Sequence, residues 1–142
     1  MDLTQQSYDR IAKDWYQDNL TNENWWQVGI DFFVDCLSEG AAVLDIGCGC
    51  GEKTKYLSDR DFRVTGVDYS EGMLAEARRQ YSNLKFLHLD FRQAEILGRE
   101  FDGIFSLAAF LHLPKKETPE TIKSLTKNEC APRSKLTRYL VD

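Results

Sequence analysis

Residues 41–51 read A-A-V-L-D-I-G-C-G-C-G, and no other stretch constrains the chain as tightly. A short apolar run ends in Asp45, and glycines follow at 47, 49 and 51. An apolar run bounded by a glycine-rich turn and followed by a helical pattern reads as a buried strand feeding a helix. In α/β folds that junction binds nucleotide-like ligands, because glycine lets a ligand touch backbone where a Cβ would block it. The spacing narrows the ligand. A dinucleotide turn reads G-x-G-x-x-G. Here Glu52 stands where its third glycine would be, and Gly51 comes one residue early. Asp45 lies two residues before the first glycine, where it would repel a pyrophosphate. A ligand with an ammonium group suits this turn better.

The rest of the chain supports an α/β frame. Tyr8, Ile11, Ala12, Trp15 and Tyr16 share one helical face, with Thr4 as the N-cap. The polar stretch 18–24 breaks that helix. A second helix over about 23–38 has Trp26, Ile30, Phe33, Val34 and Leu37 on its buried stripe and stops at Glu39-Gly40. From residue 41 strands and helices alternate. Strands are expected at 41–46, 62–67, 84–89 and 101–107. Helices are expected at about 51–59, from Ser70 onward, and at 92–97. Repeating βα units with short connections predict a parallel sheet with helices on both faces.

At 142 residues the chain is one domain by length, and with 42% hydrophobic residues its composition is globular. The net charge of −5 argues against nucleic acid or an anionic membrane surface as partner. Charge is unevenly placed: residues 115–142 carry seven Lys/Arg against four Asp/Glu, whereas 1–114 carry eleven against nineteen. Cys48 and Cys50 flank Gly49, but no second pair or nearby His completes a metal site, so none is expected. Residues 1–10 are polar, with no secretory signal, and the longest near-apolar run, 103–113, is too short to span a bilayer. A reducing, cytoplasmic setting is the default expectation.

V-L-D-I-G-C-G-C-G resembles the first motif of class I S-adenosylmethionine-dependent methyltransferases, in which an acidic residue precedes G-x-G-x-G. Three further segments resemble the same family in the same order. Asp68 ends the second strand 21 residues after Gly47, where an acid binds a nucleoside ribose. The alternative for Asp68 is a strand-end carboxylate capping the next helix. V-D-Y-S-x-x-M-L, residues 67–74, resembles the family pattern in which Tyr69 and Met73 pack on the adenine. Asp90-Phe91 resembles the pair in which the Asp accepts the adenine amino group and the Phe is an apolar wall. Residues 101–114 resemble the fourth strand of small-molecule methyltransferases, with Leu107 near the methionine portion. Tyr8-Asp9-x-x-Ala12-x-x-Trp15-Tyr16 resembles the N-terminal lid helix, in which Tyr16 would reach the carboxylate end of the cofactor. His112 could act as a base, although packing or capping explains it as well. His88 reads as structural.

The resemblance implies an S-adenosylmethionine-binding Rossmann-like core over 41–114, a helical lid over 1–40, and an atypical basic tail over 115–142. Its candidate cofactor residues are Tyr16, Asp45, Gly47, Gly49, Gly51, Asp68, Tyr69, Met73, Asp90, Phe91 and Leu107. Asp45 and the glycines would hold the methionine end. The implied activity is methyl transfer to a small-molecule acceptor. The strand order would be 3-2-1-4, with the family's later strands missing or altered. Strand four would then be a bare apolar edge. Either the tail folds back on it, or a second chain covers it as a homodimer or partner. An impaired or partner-dependent binding module is the alternative function, and the shifted glycine and Asp45 disfavour an NAD binder.

Overall fold

The computed structural model describes residues 3–21, 26–97, 101–125 and 139–141. The elements are α1 (Leu3–Thr21), α2 (Gln27–Asp35), β1 (Ala42–Ile46), α3 (Glu52–Ser58), β2 (Arg63–Asp68), α4 (Glu71–Gln80), β3 (Lys85–His88), β4 (Gly103–Leu107), α5 (Thr118–Leu125) and β5 (Tyr139–Val141). A 3-10 segment, Phe91–Leu97, joins β3 to β4, and a 3-10 turn, Phe110–His112, follows β4. The five strands form one parallel sheet in the order β3-β2-β1-β4-β5.

The predicted 3-2-1-4 core is present, and one expectation about its edge is corrected. Strand four is not bare. Phe105, Ser106 and Leu107 pair in parallel register with Tyr139, Leu140 and Val141, so the end of the tail folds back as a fifth strand. A β4 of sequence G-I-F-S-L is too apolar to stay unpaired, and pairing supplies partners for its backbone groups. The ground for expecting a second chain on that edge is thereby removed. Within the basic tail, Tyr139–Val141 are strand. Leu136 and Cys130 lie outside the described residues, as does the expected start of the second helix at 23.

The sheet is covered on both faces, as its strand sequences require. Val43 and Leu44 are neighbours on β1 and therefore point to opposite faces. Val43 joins Ile30 and Phe33 of α2, Leu57 of α3 and Phe105 in one buried cluster. Leu44 joins Ile46, Val67, Phe101, Ala109 and Leu125 of α5 in another. The stripe predicted for α2 is thus the stripe that packs.

The predicted single stripe of α1 is split. Ala12 and Tyr16 are buried against Cys50 and Met73, whereas Ile11 and Trp15 are exposed. Each residue advances about 100° around a helix. The 5/9/12/16 side therefore faces α4, and the 4/8/15/19 side lies about 80° around the helix from it, with Tyr8 still packed against the Ala12–Met73 cluster. The helix also begins at Leu3, so Thr4 is inside its first turn rather than its cap, and it runs four residues into the expected polar break.

What fixes α1 on α4 is polar. Ser70 caps α4: its Oγ accepts the Met73 N–H at 3.1 Å. That hydroxyl donates in turn to Asp9 Oδ1 at 2.6 Å, and the same oxygen accepts the Gly72 N–H at 2.9 Å. Asp9 is thus a second cap for α4, supplied from another helix, at the positive end of the helix dipole. The approach is so close that a Cβ on Gly72 would lie 2.6 Å from the Asp9 Cα. Asp9→Ala should therefore cost about 1–2 kcal/mol in urea unfolding, the scale of a lost N-cap, and should raise amide exchange selectively in α1. Unchanged exchange in α1 would show that apolar contacts alone hold the helix.

Candidate functional site

The chain order reverses at β1, so the crevice beyond the carboxyl ends of β1, β2 and β4 is where such a sheet takes a ligand. A cavity of about 580 Å3 occupies that crevice. Its floor comes from the turn after β1 and the Leu107–Ala109 segment after β4. One wall comes from Asp68–Ser70 and Met73, and another from Asp90–Arg92. The 4/8/15/19 side of α1 lies across it: Thr4, Tyr8, Trp15 and Asn19 line the cavity.

The three glycines do three different jobs. A Cβ on Gly47 would lie 2.6 Å from the Ala109 Cβ, so this glycine lets the β1 turn pack on the β4 turn. A Cβ on Gly51 would meet the Phe86 ring at 2.7 Å, so this glycine serves packing. Gly49, at φ +55°, has no atom within 4 Å of an added Cβ: it faces open cavity. Gly51 does not line the cavity; Gly47 and Gly49 do.

Asp68 holds the two turns together. Its Oδ2 accepts the Gly49 N–H at 2.8 Å and its Oδ1 accepts the Ser70 N–H at 2.8 Å. Burial pushes its pKa up, and the Ser70 and Gly49 donors oppose that rise. The Tyr69 N–H is a third backbone donor to it, and of the about four acceptor positions of a carboxylate about one remains for a ligand. The helix-cap alternative is thus half right, because Asp68 bonds to the capping residue while keeping capacity toward the cavity.

Asp45 is elsewhere. As an odd-face residue of β1 it points under α3 with Val43, is 1% exposed, and accepts the Thr54 hydroxyl at 2.6 Å. It does not line the cavity. Burial raises its pKa to about 6, against the lowering effect of Thr54 and Lys53. Tyr16 is also outside the cavity. It is buried among Ala12, Cys50 and Met73 and hydrogen-bonds Tyr81, whose pKa is pushed up first by burial and then by that bond. Cys48 and Cys50 are buried free thiols whose pKa values burial raises, to about 12 for Cys50, so at neutral pH they fill space as thiols.

The remaining candidates meet at the cavity. Met73 is buried and lines it, Tyr69 is half-exposed and stacks on His88, and Phe91 packs on Phe110. Asp90 lines it too, but Arg92 engages the carboxylate: Nε lies 2.9 Å from both oxygens, and Nη2 contacts Oδ2. Burial raises the Asp90 pKa, and the Arg92 contacts outweigh it, leaving it below the usual carboxylate range. Leu107 precedes Ala108, a non-glycine residue held at φ +63°, and strain of this kind concentrates at functional sites.

Several lining residues escaped the sequence reading. Tyr8 donates or accepts a hydrogen bond with His112 Nε2 at 3.2 Å, ring edge to ring face. Burial and then the charge of Asp68 raise the Tyr8 pKa. Trp26 and Lys53 line the other end, with Lys53 Nζ 5.5 Å from the Trp26 ring centre. Glu52 lines it as well, and its Oε1 is enclosed with no hydrogen-bond partner among the described residues. The signal for Tyr8, Trp15 and Asn19 was their helical spacing, and that for Glu52 and Lys53 was direct succession to the glycine turn.

A family model described as a methyltransferase domain matches residues 43–128, more than half of the chain. The chain belongs to the methyltransferase domain family. Over 72 residues it is 43% identical to malonyl-[acyl-carrier protein] O-methyltransferase of Acetivibrio thermocellus, an alignment covering 48% of this chain and 25% of that protein. Over 77 residues it is 42% identical to trans-aconitate 2-methyltransferase of Deinococcus radiodurans, covering 52% and 29%. The chain thus spans under a third of these two relatives. Among solved structures, a TehB-like SAM-dependent methyltransferase of Corynebacterium glutamicum shares the fold at a TM-score of 0.71 and 20% identity, covering 87% of this chain and 67% of that one. Magnesium protoporphyrin IX methyltransferase of Synechocystis with bound SAH gives a TM-score of 0.61 at 25% identity, covering 89% and 52%. Among the described residues no helix is long and apolar enough to cross a membrane.

The buried position of Asp45 has a measurable consequence. Its folded pKa of about 6 exceeds the unfolded value of about 3.9, so the folded state binds the proton more tightly. Its contribution to stability is full below about pH 4 and is lost as pH rises through about 6, a change of about 3 kcal/mol. Asp45→Asn should therefore gain stability relative to the unsubstituted protein by that order between pH 4 and 7 in urea unfolding. A difference independent of pH would contradict the assignment.

Proposed function

We propose that this methyltransferase domain binds S-adenosylmethionine in the cavity and transfers its methyl group to a small-molecule acceptor. The observation that carries the reading is the Asp68 carboxylate, tied to both turns by backbone donors, lining the cavity and keeping some acceptor capacity. That capacity suits a ribose hydroxyl, and a 2′-phosphate would be repelled. Gly49 leaves the opening a backbone-hugging ligand needs. Met73 and Phe91 are apolar walls suited to an adenine, with Tyr69 and Asp90 at its edge. Gly47 and Leu107 border the methionyl portion, while Asp45, Gly51 and Tyr16 serve from beneath by fixing the turn and α1.

Bound S-adenosylmethionine supplies a methyl carbon activated by a sulfonium for in-line displacement. The protein's task is alignment and exclusion of water rather than strong acid–base help. Tyr8, Trp15 and Asn19 of α1 cover the cavity and keep water out. The strained Leu107–Ala109 turn holds its floor. His112 and Tyr8 stand together on the acceptor edge, where His112 Nε2 can take a proton from an acceptor that arrives protonated. The relatives are methyltransferases of malonyl-[acyl-carrier protein] and of trans-aconitate, acceptors too different to narrow the one this chain takes.

Isothermal titration with S-adenosylhomocysteine tests the reading. Saturable binding is expected, with none for NADH, and Gly49→Val should abolish it, because the new side chain fills the opening. Absence of heat at millimolar ligand, or full affinity in folded Gly49→Val, would overturn it.

A further inference from the structure

We infer that the methyl acceptor is an uncharged aromatic hydroxyl compound, a phenol, and that Trp15, Tyr8 and His112 form its subsite. This rests on the cofactor reading above and names the class of acceptor the same cavity takes. Three rings run in series along the acceptor edge. Trp15 meets Tyr8 edge-on, with ring centres 5.8 Å apart and planes at 79°. Tyr8 meets His112 in the same way, at 5.5 Å and 82°. All three line the cavity, and Leu113 and Pro114 continue it as an apolar wall. Trp15 keeps 41% of its surface exposed, so its ring still has area to cover. Edge-to-face and offset ring pairs at such spacings are favourable beyond the area they bury, so a planar aromatic body fits as the next ring.

Charge argues against the other acceptor classes. A carboxylate acceptor calls for a cation beside it, and an ammonium acceptor for an anion. The charged side chains lining the cavity are engaged elsewhere. Arg92 is held by Asp90 and Glu117. Lys53 lies over the Trp26 ring at the other end of the cavity. Asp68 is tied to backbone amides, and the unpartnered Glu52 oxygen is enclosed rather than open to a ligand. The acceptor edge offers instead a neutral pair, the Tyr8 hydroxyl and His112 Nε2, 3.2 Å apart. Tyr8 is itself a phenol, so an aromatic hydroxyl within reach of this imidazole is a geometry the site already makes. A phenol ionises near about pH 10 and arrives protonated at neutral pH, whereas a carboxylic acid arrives ionised and needs no base. In the transfer the phenolic oxygen bonds to the methyl carbon as the carbon–sulfur bond breaks. The electron pair of that bond stays on sulfur, which becomes a neutral thioether, and the phenolic proton passes to His112 Nε2.

The test titrates 2-naphthol calorimetrically into protein saturated with S-adenosylhomocysteine. It then follows S-adenosylmethionine-dependent methylation of 2-naphthol, trans-aconitate and benzylamine, which are a phenol, a polycarboxylate and an ammonium. 2-Naphthol should bind and be methylated on oxygen, and the other two should not be methylated. Trp15→Ala should weaken 2-naphthol binding about tenfold, the scale of a lost ring pair. His112→Asn should lower kcat for 2-naphthol about 100-fold with little change in KM, the scale of a lost general base. Failure of 2-naphthol to bind, or preferential methylation of trans-aconitate or benzylamine, would overturn the acceptor class and leave the cofactor reading standing. Undiminished binding in Trp15→Ala together with undiminished kcat in His112→Asn would overturn the subsite. An unsubstituted protein that takes up no S-adenosylhomocysteine would overturn the cofactor reading and this inference with it.

Discussion

The structure turns on one carboxylate. Asp68 ends β2 and accepts one backbone N–H from the turn after β1 and one from the start of α4. Hydrogen bonds to a charged acceptor contribute about 1.5–3 kcal/mol each, enough to fix these two segments against each other. Ser70 extends the linkage, since its hydroxyl donates to Asp9 and so brings α1 against α4. Three segments far apart in sequence are thereby registered around a single charged group, and the cavity is the space they enclose.

Helix α1 then acquires two faces with different purposes. Its Ala12–Tyr16 side is a packing surface against Cys50 and Met73. Its Tyr8–Trp15–Asn19 side roofs the cavity and brings the Tyr8 hydroxyl to His112. The polar groups inside are arranged by bond saturation rather than by count. Where Asp90 is occupied by Arg92 and Asp45 by Thr54, Asp68 lines the cavity with backbone donors on its carboxylate.

Much of this was legible in residue order. Strand starts and ends, the parallel 3-2-1-4 core and the Ser70 cap follow from apolar runs, turn residues and local capping chemistry, which act over a few positions. Four things were not legible. The roles of Gly47 and Gly51 depend on Ala109 and Phe86, which are distant in sequence and become neighbours only in the fold. The side-chain direction of Asp45 follows from strand parity, yet its burial needs Thr54 one helix away. The rotation of α1 was ambiguous because Tyr8, Trp15 and Tyr16 are all large and apolar enough for either face. It is decided by the polar contacts of Asp9. The pairing of Tyr139–Val141 with β4 was hidden by the polar stretch before it, since three residues carry no readable periodicity.

The role given to Asp68 is tested most directly by titrating Asp68→Ala with S-adenosylhomocysteine, with circular dichroism to verify the fold. A folded variant whose affinity falls by about 1.5–3 kcal/mol is the predicted result. A folded variant that binds as tightly as the unsubstituted protein would contradict it.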